Sequence, residues 1–485
     1  MSASMMPAQA GASMMGVIVL KELRAMLRDG RLYLLGPAVL LALCALLLSS
    51  ANTHLRQQDE RQSVDAQTRA QWALQGDKNP HRGAHFGVYA FRPALPMAMV
   101  DPGLSPYTGQ AIWLEPHRRN MSRFSAAADA TPASRFGDMA PAFLLYAMLP
   151  LLIVSLAFNA VTQERELGTL RMLHSVGVSG VRLMAGKLAA LMIALGGVLL
   201  PSLLVGGWAL ARSGQMDADA WARAGMMALA YALYYTVFAA IALLVSIRVQ
   251  RSRQALFALV GLWVAFVLVV PRLGAAAADR LVSLPTTSEF WSEINRDYQE
   301  GFAGDGNLAA RGRAFDAQLL QQYGVARIRD LPVGATALRR LHRDAYADRV
   351  HEVHFADLWQ RYDRQQQIIA IAGLLSPTLA MRSLSMRLSG TDLSHQQDFE
   401  SHAETYRRDL SRRIDEWDSA STRGEVSYDD KYGNNALWQS ISPFAYAAPG
   451  VGFVLRSARL DMAVLLLWLV IALGLLGLSA RRLQP

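Results

Sequence analysis

Apolar residues in this chain gather into six charge-free runs, each near the length a helix needs to cross the hydrocarbon core of a bilayer: 32–51, 139–161, 188–211, 224–247, 254–271 and 462–480. Charge bounds every run. Ahead of the first, Met14, Met15, Val17, Ile18, Leu20, Leu23, Met26 and Leu27 recur at helical spacing, with Lys21, Arg24 and Arg28 on the complementary arc. That pattern predicts an amphipathic helix on the membrane surface within residues 1–31. The first run follows basic residues as a signal peptide would, but its apolar part is too long for one and nine of its residues are leucine, so it reads as a retained anchor.

Two long segments separate these runs. Residues 52–138 are rich in Pro, Gly and aromatics, as in HFGVYAFRPALP and DPGLSPYTGQAIWLEP, which predicts a mixed or β-rich lobe of short strands and turns. Residues 272–461 instead hold two long helix-forming runs, Ala335 to Leu375 and His395 to Trp417, which predict a mainly helical lobe. The uncharged stretch 368–381 is too short to span unaided and is expected on the membrane surface or buried in the lobe, broken at Pro377. The fold class is therefore an α-helical polytopic membrane protein with six transmembrane helices, an N-terminal amphipathic helix and two lobes.

Charge then orients the chain. The two long segments together carry 33 basic and 33 acidic residues, so the net charge of +9 resides in the flanks of the spans. Lys21, Arg24, Arg28, Arg31, Arg165, Arg171, Arg182, Lys187, Arg248, Arg251, Arg253, Arg481 and Arg482 fall on one side if the runs cross alternately. By the positive-inside rule that side is cytoplasmic. The expected inner segments are then 1–31, 162–187, 248–253 and 481–485, and the outer ones 52–138, the short loop 212–223 and 272–461. Basic residues that straddle membrane boundaries do not line a groove for nucleic acid, so the basic balance implies a lipid bilayer as neighbour and no nucleic-acid partner.

Little in the chain suggests catalysis. The single cysteine, Cys44, lies in the first apolar run, and no Gly-x-Ser-x-Gly elbow occurs. The glycines ahead of Gly186 and Lys187 imitate a phosphate loop, but Gly180 and Gly186 are separated by five residues and Leu188 stands where a hydroxyl should hold magnesium. In HEVHF, His351 and His354 are one residue too close for the metalloprotease helix motif; His81 and His85 in HRGAH flank a glycine that points to a loop. No metal ligand set, cofactor site or catalytic residue is assigned, and with almost no ionisable side chain in the apolar runs, energy for any transport must come from another chain.

The stretch QERELGTLRMLHSVGVSGVRLMAGKL resembles the first cytoplasmic loop of ABC type-2 transporter permeases, through Glu164, Arg165, Glu166, Gly168, Thr169, Leu170, Gly186 and Lys187. In that family the loop forms a coupling helix that docks on a separate ATPase subunit. Leu167, Leu170, Leu173 and Val176 recur every third residue, which predicts a helix packing on the spans while presenting charge to that partner. A second stretch, LSPTLAMRSLSMRLSGTDLSHQQDFESHAETYRRDL, resembles the permeases that carry domain of unknown function 3526, through Arg382, Ser383, Leu384, Ser385, Met386, Gly390, Thr391, Asp392 and His395, with LWQRYDRQQ upstream fitting too.

What these resemblances imply is a non-catalytic permease subunit in a bacterial inner membrane, both termini cytoplasmic, serving export or extracytoplasmic handling of a substrate. Its implied partners are two copies of an ABC ATPase carrying ATP and Mg, a second permease chain, alike or a sister, and an extracytoplasmic partner. The competing expectation is a membrane-anchored, metal-dependent enzyme or sensor built on the second lobe around HEVHF.

Overall fold

A computed structural model describes residues 14–129 and 139–483. The start of the N-terminal segment, the end of the first lobe (130–138) and the last two residues of the tail lie outside the described residues. Six described helices are long and apolar enough to cross a membrane: Arg31–Ala73, Pro141–Glu166, Gly180–Arg212, Ala218–Arg248, Ser252–Leu281 and Arg459–Arg481. They cover the six charge-free runs except residues 139 and 140, and the chain is a multi-pass membrane protein. Leu34, Leu41, Leu204, Phe257 and Val470 stand exposed on the outer faces of this bundle, where acyl chains rather than water suit them.

The fourth span, Ala218–Arg248, runs through the middle of the bundle and buries Tyr231, Tyr234, Tyr235, Phe238 and Leu243. Its tyrosines answer a defect in the second span. Pro150 has no N–H for the carbonyl of Tyr146, and a π turn at Leu144–Met148 loosens neighbouring carbonyls. Tyr234 donates to the Tyr146 carbonyl at 2.7 Å, Tyr235 to that of Leu145 at 3.0 Å, and Trp263 Nε1 to that of Ala147 at 2.8 Å. In a hydrocarbon setting each orphan carbonyl is costly, so these bonds fix the second, fourth and fifth spans in register.

The described part of the first lobe combines helices with a small strand pair. The helix of the first span continues to Ala73, because no Gly or Pro interrupts the chain between Pro37 and Gly76. Strand content among the described residues is one antiparallel pair, β1 (Val88–Phe91) and β2 (Ala111–Leu114), with Val88 opposite Leu114 and Phe91 opposite Ala111. The second lobe holds helices Thr287–Glu300, Leu308–Tyr323, Ala335–Ala372, Pro377–Ser389 and Leu393–Ser421. The two lobes share their cores: Trp72 and Ala84 pack with Leu410, Ile414 and Trp438, and Ile112 and Leu114 with Phe399.

The uncharged stretch 368–381 divides at its proline. Residues up to Ala372 extend the long helix, a 3-10 turn covers Gly373–Leu375, and Pro377 opens a new helix capped by Ser376. That helix is sunk into the top of the bundle, where Met381, Leu384 and Leu388 join the core of the spans and Ser376 Oγ donates to the Phe266 carbonyl at 2.6 Å.

Candidate functional site

Between the second and third spans the chain forms two short helices, Thr162–Glu166 and Thr169–Ser175, hinged at Gly168 with φ 72°. A side chain at that left-handed position is strained, which is why glycine stands there. Thr169 Oγ1 donates to the Glu164 carbonyl at 3.2 Å across the hinge, and Leu170 anchors the second helix with 1% of its surface exposed. Behind it, Ser179 caps the helix of the third span by accepting from the Arg182 N–H.

Each charged residue of the loop's first helix is bound to a different element. Arg165 donates to the carbonyls of Val249 at 2.7 Å and Ile247 at 3.1 Å, closing the open C-terminus of the fourth span. Glu166 accepts from Ser252 N at 2.8 Å and Ser252 Oγ at 3.0 Å, capping the start of the fifth. Glu164 turns inward to Lys187, whose Nζ lies 3.0 Å from Glu164 Oε1 and 2.8 Å from Glu22 Oε1. Lys21, on the rim, pairs with both Glu22 and Glu164.

This quartet, Lys21, Glu22, Glu164 and Lys187, binds the N-terminal helix Met14–Arg28 to the loop and to the third span. Lys187 is 1% exposed, and its two carboxylate partners are buried. Burial alone would raise the Glu22 carboxyl; the ammonium groups of Lys187 and Lys21 override it and hold the group below its ordinary range. Gly186 permits this approach, since a Cβ there would lie 2.5 Å from Ile18 Cγ2. Gly180 serves in the same way, a Cβ on it meeting the Ala480 carbonyl oxygen of the last span at 2.2 Å. The glycines that imitate a phosphate loop are thus sites of close helix packing.

The expected arrangement of the loop is inverted. The three-residue repeat does not form one stripe, because Gly168 separates the two helices: Leu170 is buried, while Leu167 and Val176 are each 68% exposed. Glu164 and Glu166 are consumed internally. Three apolar side chains, Leu167, Met172 and Val176, face away from the bundle, with the exposed Thr169, Arg171 and Ser175 beside them.

A second polar cluster joins the lobes to the opposite end of the bundle. Arg387 Nε donates to Asp461 of the last span at 3.1 Å, its Nη1 to Ser394 at 3.3 Å and its Nη2 to Gln366 of the long helix at 3.2 Å. Ser383 donates to Asp461 at 2.9 Å, and Ser385 to Asp101 of the first lobe. Thr391 Oγ1 donates to the Asp101 carbonyl at 3.0 Å, and His395 is held between Asp392 and Arg223 of the fourth span. Gly390 turns the chain at φ 67° against Leu95, Arg382 lies over the Tyr146 ring, and Leu384 and Met386 complete the helix. Gly390 and Thr391 also border a cavity of about 390 Å³ lined by Ser49, His54, Arg61, Arg92 and Tyr107.

Residues 119–272, holding the loop and the second to fourth spans with most of the fifth, match the model of an ABC-2 family transporter protein. Residues 288–447, holding the second lobe's share of the second cluster, match a domain of unknown function, DUF3526. The chain belongs to the ABC-2 transporter permeases that carry this domain. No curated protein matches it. As an ABC-2 permease it is the transmembrane component of a transporter.

In this permease the HEVHF histidines do not converge. His354 Nε2 pairs with Asp297 at 2.8 Å, while His351 is buried at 5% exposure among Trp291 and Phe355. Burial, helped by the Arg407 charge, pushes the His351 imidazole down to about 4 from an ordinary 6.5. The unfolded chain then binds a proton first as pH falls, so the stability present above pH 6.5 is lost on descending toward pH 4. Between pH 7 and pH 5 the loss attributable to His351 is about 2 kcal/mol. Melting curves of His351→Asn should therefore show a shallower drop over that interval than the parent protein; parallel drops would remove His351 from the acid response.

Glu22, Asp101 and Asp461 are the functional partners that sequence reasoning misses. Glu22 carries a signal, an acid beside the basic arc of an amphipathic helix, and Asp461 another, a carboxylate at the mouth of an apolar run. Asp101 carries none, since only the fold brings it to Ser385 and Thr391.

Proposed function

We propose that this permease receives the motion of an ABC ATPase through residues 162–187. The observation that carries the reading is the exposure of Leu167, Met172 and Val176 on a loop whose Glu164, Arg165 and Glu166 are bound to the protein's own spans. An exposed apolar patch on a charged, structured loop is the mark of a docking surface. A partner pressing there displaces two short helices tied by Glu164 to Lys187 and Glu22, by Arg165 to the fourth span and by Glu166 to the fifth. Four elements are thus driven from one contact.

The rest of the reading follows from charge and family. The basic flanks put the loop and both termini in the cytoplasm of a bacterial inner-membrane protein, with the helix Met14–Arg28 on the inner surface and the lobes outside. Two such chains, or one with a sister chain, bind two ATPase subunits that carry ATP and Mg, and the cycle serves export or extracytoplasmic handling of a substrate. The cluster around Arg387 relays the movement of the fourth and last spans to the lobes, where an extracytoplasmic partner is engaged.

Met172→Asp combined with Val176→Asp tests the docking surface without touching a buried group. The expected result is loss of the co-purifying ATPase and at least a tenfold fall in permease-stimulated ATP hydrolysis, with membrane insertion and melting temperature unchanged. Retention of the ATPase at parental stoichiometry would sink the assignment.

A further inference from the structure

Three histidines distant from this loop come together where the lobes meet. The short helix Pro80–Ala84 is capped by Asn79, whose side chain accepts from the His81 N–H at 3.1 Å. It is pressed on Trp438 so closely that a Cβ on Gly83 would lie 2.1 Å from the indole. His85 follows directly, so HRGAH, expected as a loop, places His81 and His85 one helical turn apart. The turn after β2 supplies His117, held in the left-handed region at φ 66°, where a residue with a Cβ is strained. Ligand atoms of all three lie within 4.8 Å of one another. His117 is 32 residues from His85 in sequence, so the fold alone unites the three.

We propose that His81, His85 and His117 form a binding site for a divalent transition-metal cation of the zinc class. His81 Nε2 and His117 Nε2 are 3.4 Å apart, long for a hydrogen bond between them. Two nitrogens on a tetrahedral zinc at about 2.0–2.1 Å stand about 3.3 Å from each other, so the pair is spaced as ligands of one ion. Nδ1 of His117 is bonded to Asp344 of the long helix, which leaves Nε2 as its ligand atom, the carboxylate–histidine arrangement that orients metal-binding imidazoles. Glu115 stands 4.0 Å from Nδ1 of the exposed His85 in the corresponding place. An ion here binds the first lobe to the second through Asp344, and three imidazoles leave a fourth position open to solvent.

The test uses the full-length protein in detergent, purified on a tag without histidine, stripped with chelator and titrated with Zn²⁺. One Zn²⁺ per chain and a raised melting temperature are expected, with Co²⁺ giving the intense visible bands of a tetrahedral site. His81→Ala with His117→Ala should abolish stoichiometric binding, and the exposed His85→Ala should weaken it with the metal-free melting temperature unchanged. Asp344→Asn should weaken it roughly 10–100-fold. His402→Ala, on an exposed histidine elsewhere, should leave the titration as it was. No stoichiometric Zn²⁺ in the parent protein, or equal binding in the His81 and His117 variant, overturns the proposal.

Discussion

Lys187→Met should destabilise the protein by about 3–5 kcal/mol, the range for removing one partner from a buried ion pair. Met approximates the stem of Lys but takes the ammonium away from two carboxylates that meet it at 2.8 Å and 3.0 Å. Glu22 and Glu164 then share only Lys21, whose side chain is 46% exposed and weakened by solvent. The value should fall at the lower end for that reason. Adding Glu22→Gln to Lys187→Met removes the surplus negative charge and should recover more than half of the loss in melting experiments. Lys21→Met alone should cost under about 1 kcal/mol, as an exposed pair does. Equal losses for Lys187→Met and Lys21→Met would show that the cluster is hydrated and that its geometry does not decide stability.

That prediction changes what substitutions in the loop can report. Glu164→Ala removes a charge from the loop, yet Glu164 holds Lys187 and is buried, so its loss is structural before it is functional. The exposed residues Met172 and Val176 can be changed without that ambiguity.

How much of this was legible in sequence depends on the range of the interaction. The six spans were legible because each is decided by its own residues: an apolar run of sufficient length has one stable disposition in a bilayer. The long helices of the second lobe were legible for a similar reason, lacking Gly and Pro over Ala335–Ala372 and Leu393–Ser421. In the first lobe the Gly- and Pro-rich part marks the turns and short strands, while 52–73, free of Gly and Pro, continues the helix of the first span. In the loop, the motif residues were found but their directions were not. Periodicity assumes one continuous helix, and a single left-handed glycine resets the phase. The partners Glu22, Asp101 and Asp461, and the third histidine of the cluster, were beyond reach for a common reason: each is brought in from a different element, and no local pattern encodes such a meeting.

The same logic makes Arg387→Met the second large effect, also about 3–5 kcal/mol. Arg387 reaches Asp461, Ser394 and Gln366 at 3.1–3.3 Å, with Asp392 at 3.6 Å, and is the only described basic side chain paired with Asp461. Its removal leaves the Asp461 carboxylate, 2% exposed at the mouth of a membrane span, with Ser383 alone. Asp392 suffers less, since His395 and the Ser394 N–H still hold it. Asp461→Asn placed on Arg387→Met keeps a hydrogen bond to Ser383 without a buried charge, so the double variant should be more stable than Arg387→Met by at least about 1.5 kcal/mol. Arg387→Lys should not substitute, because one ammonium cannot reproduce a planar fork that spans three helices. Melting curves of the parent, Arg387→Met, Asp461→Asn and the double variant close a double-mutant cycle. Effects that add to within about 0.5 kcal/mol would mean that the two groups do not interact, and the last span would then have to be joined to the lobes by packing alone.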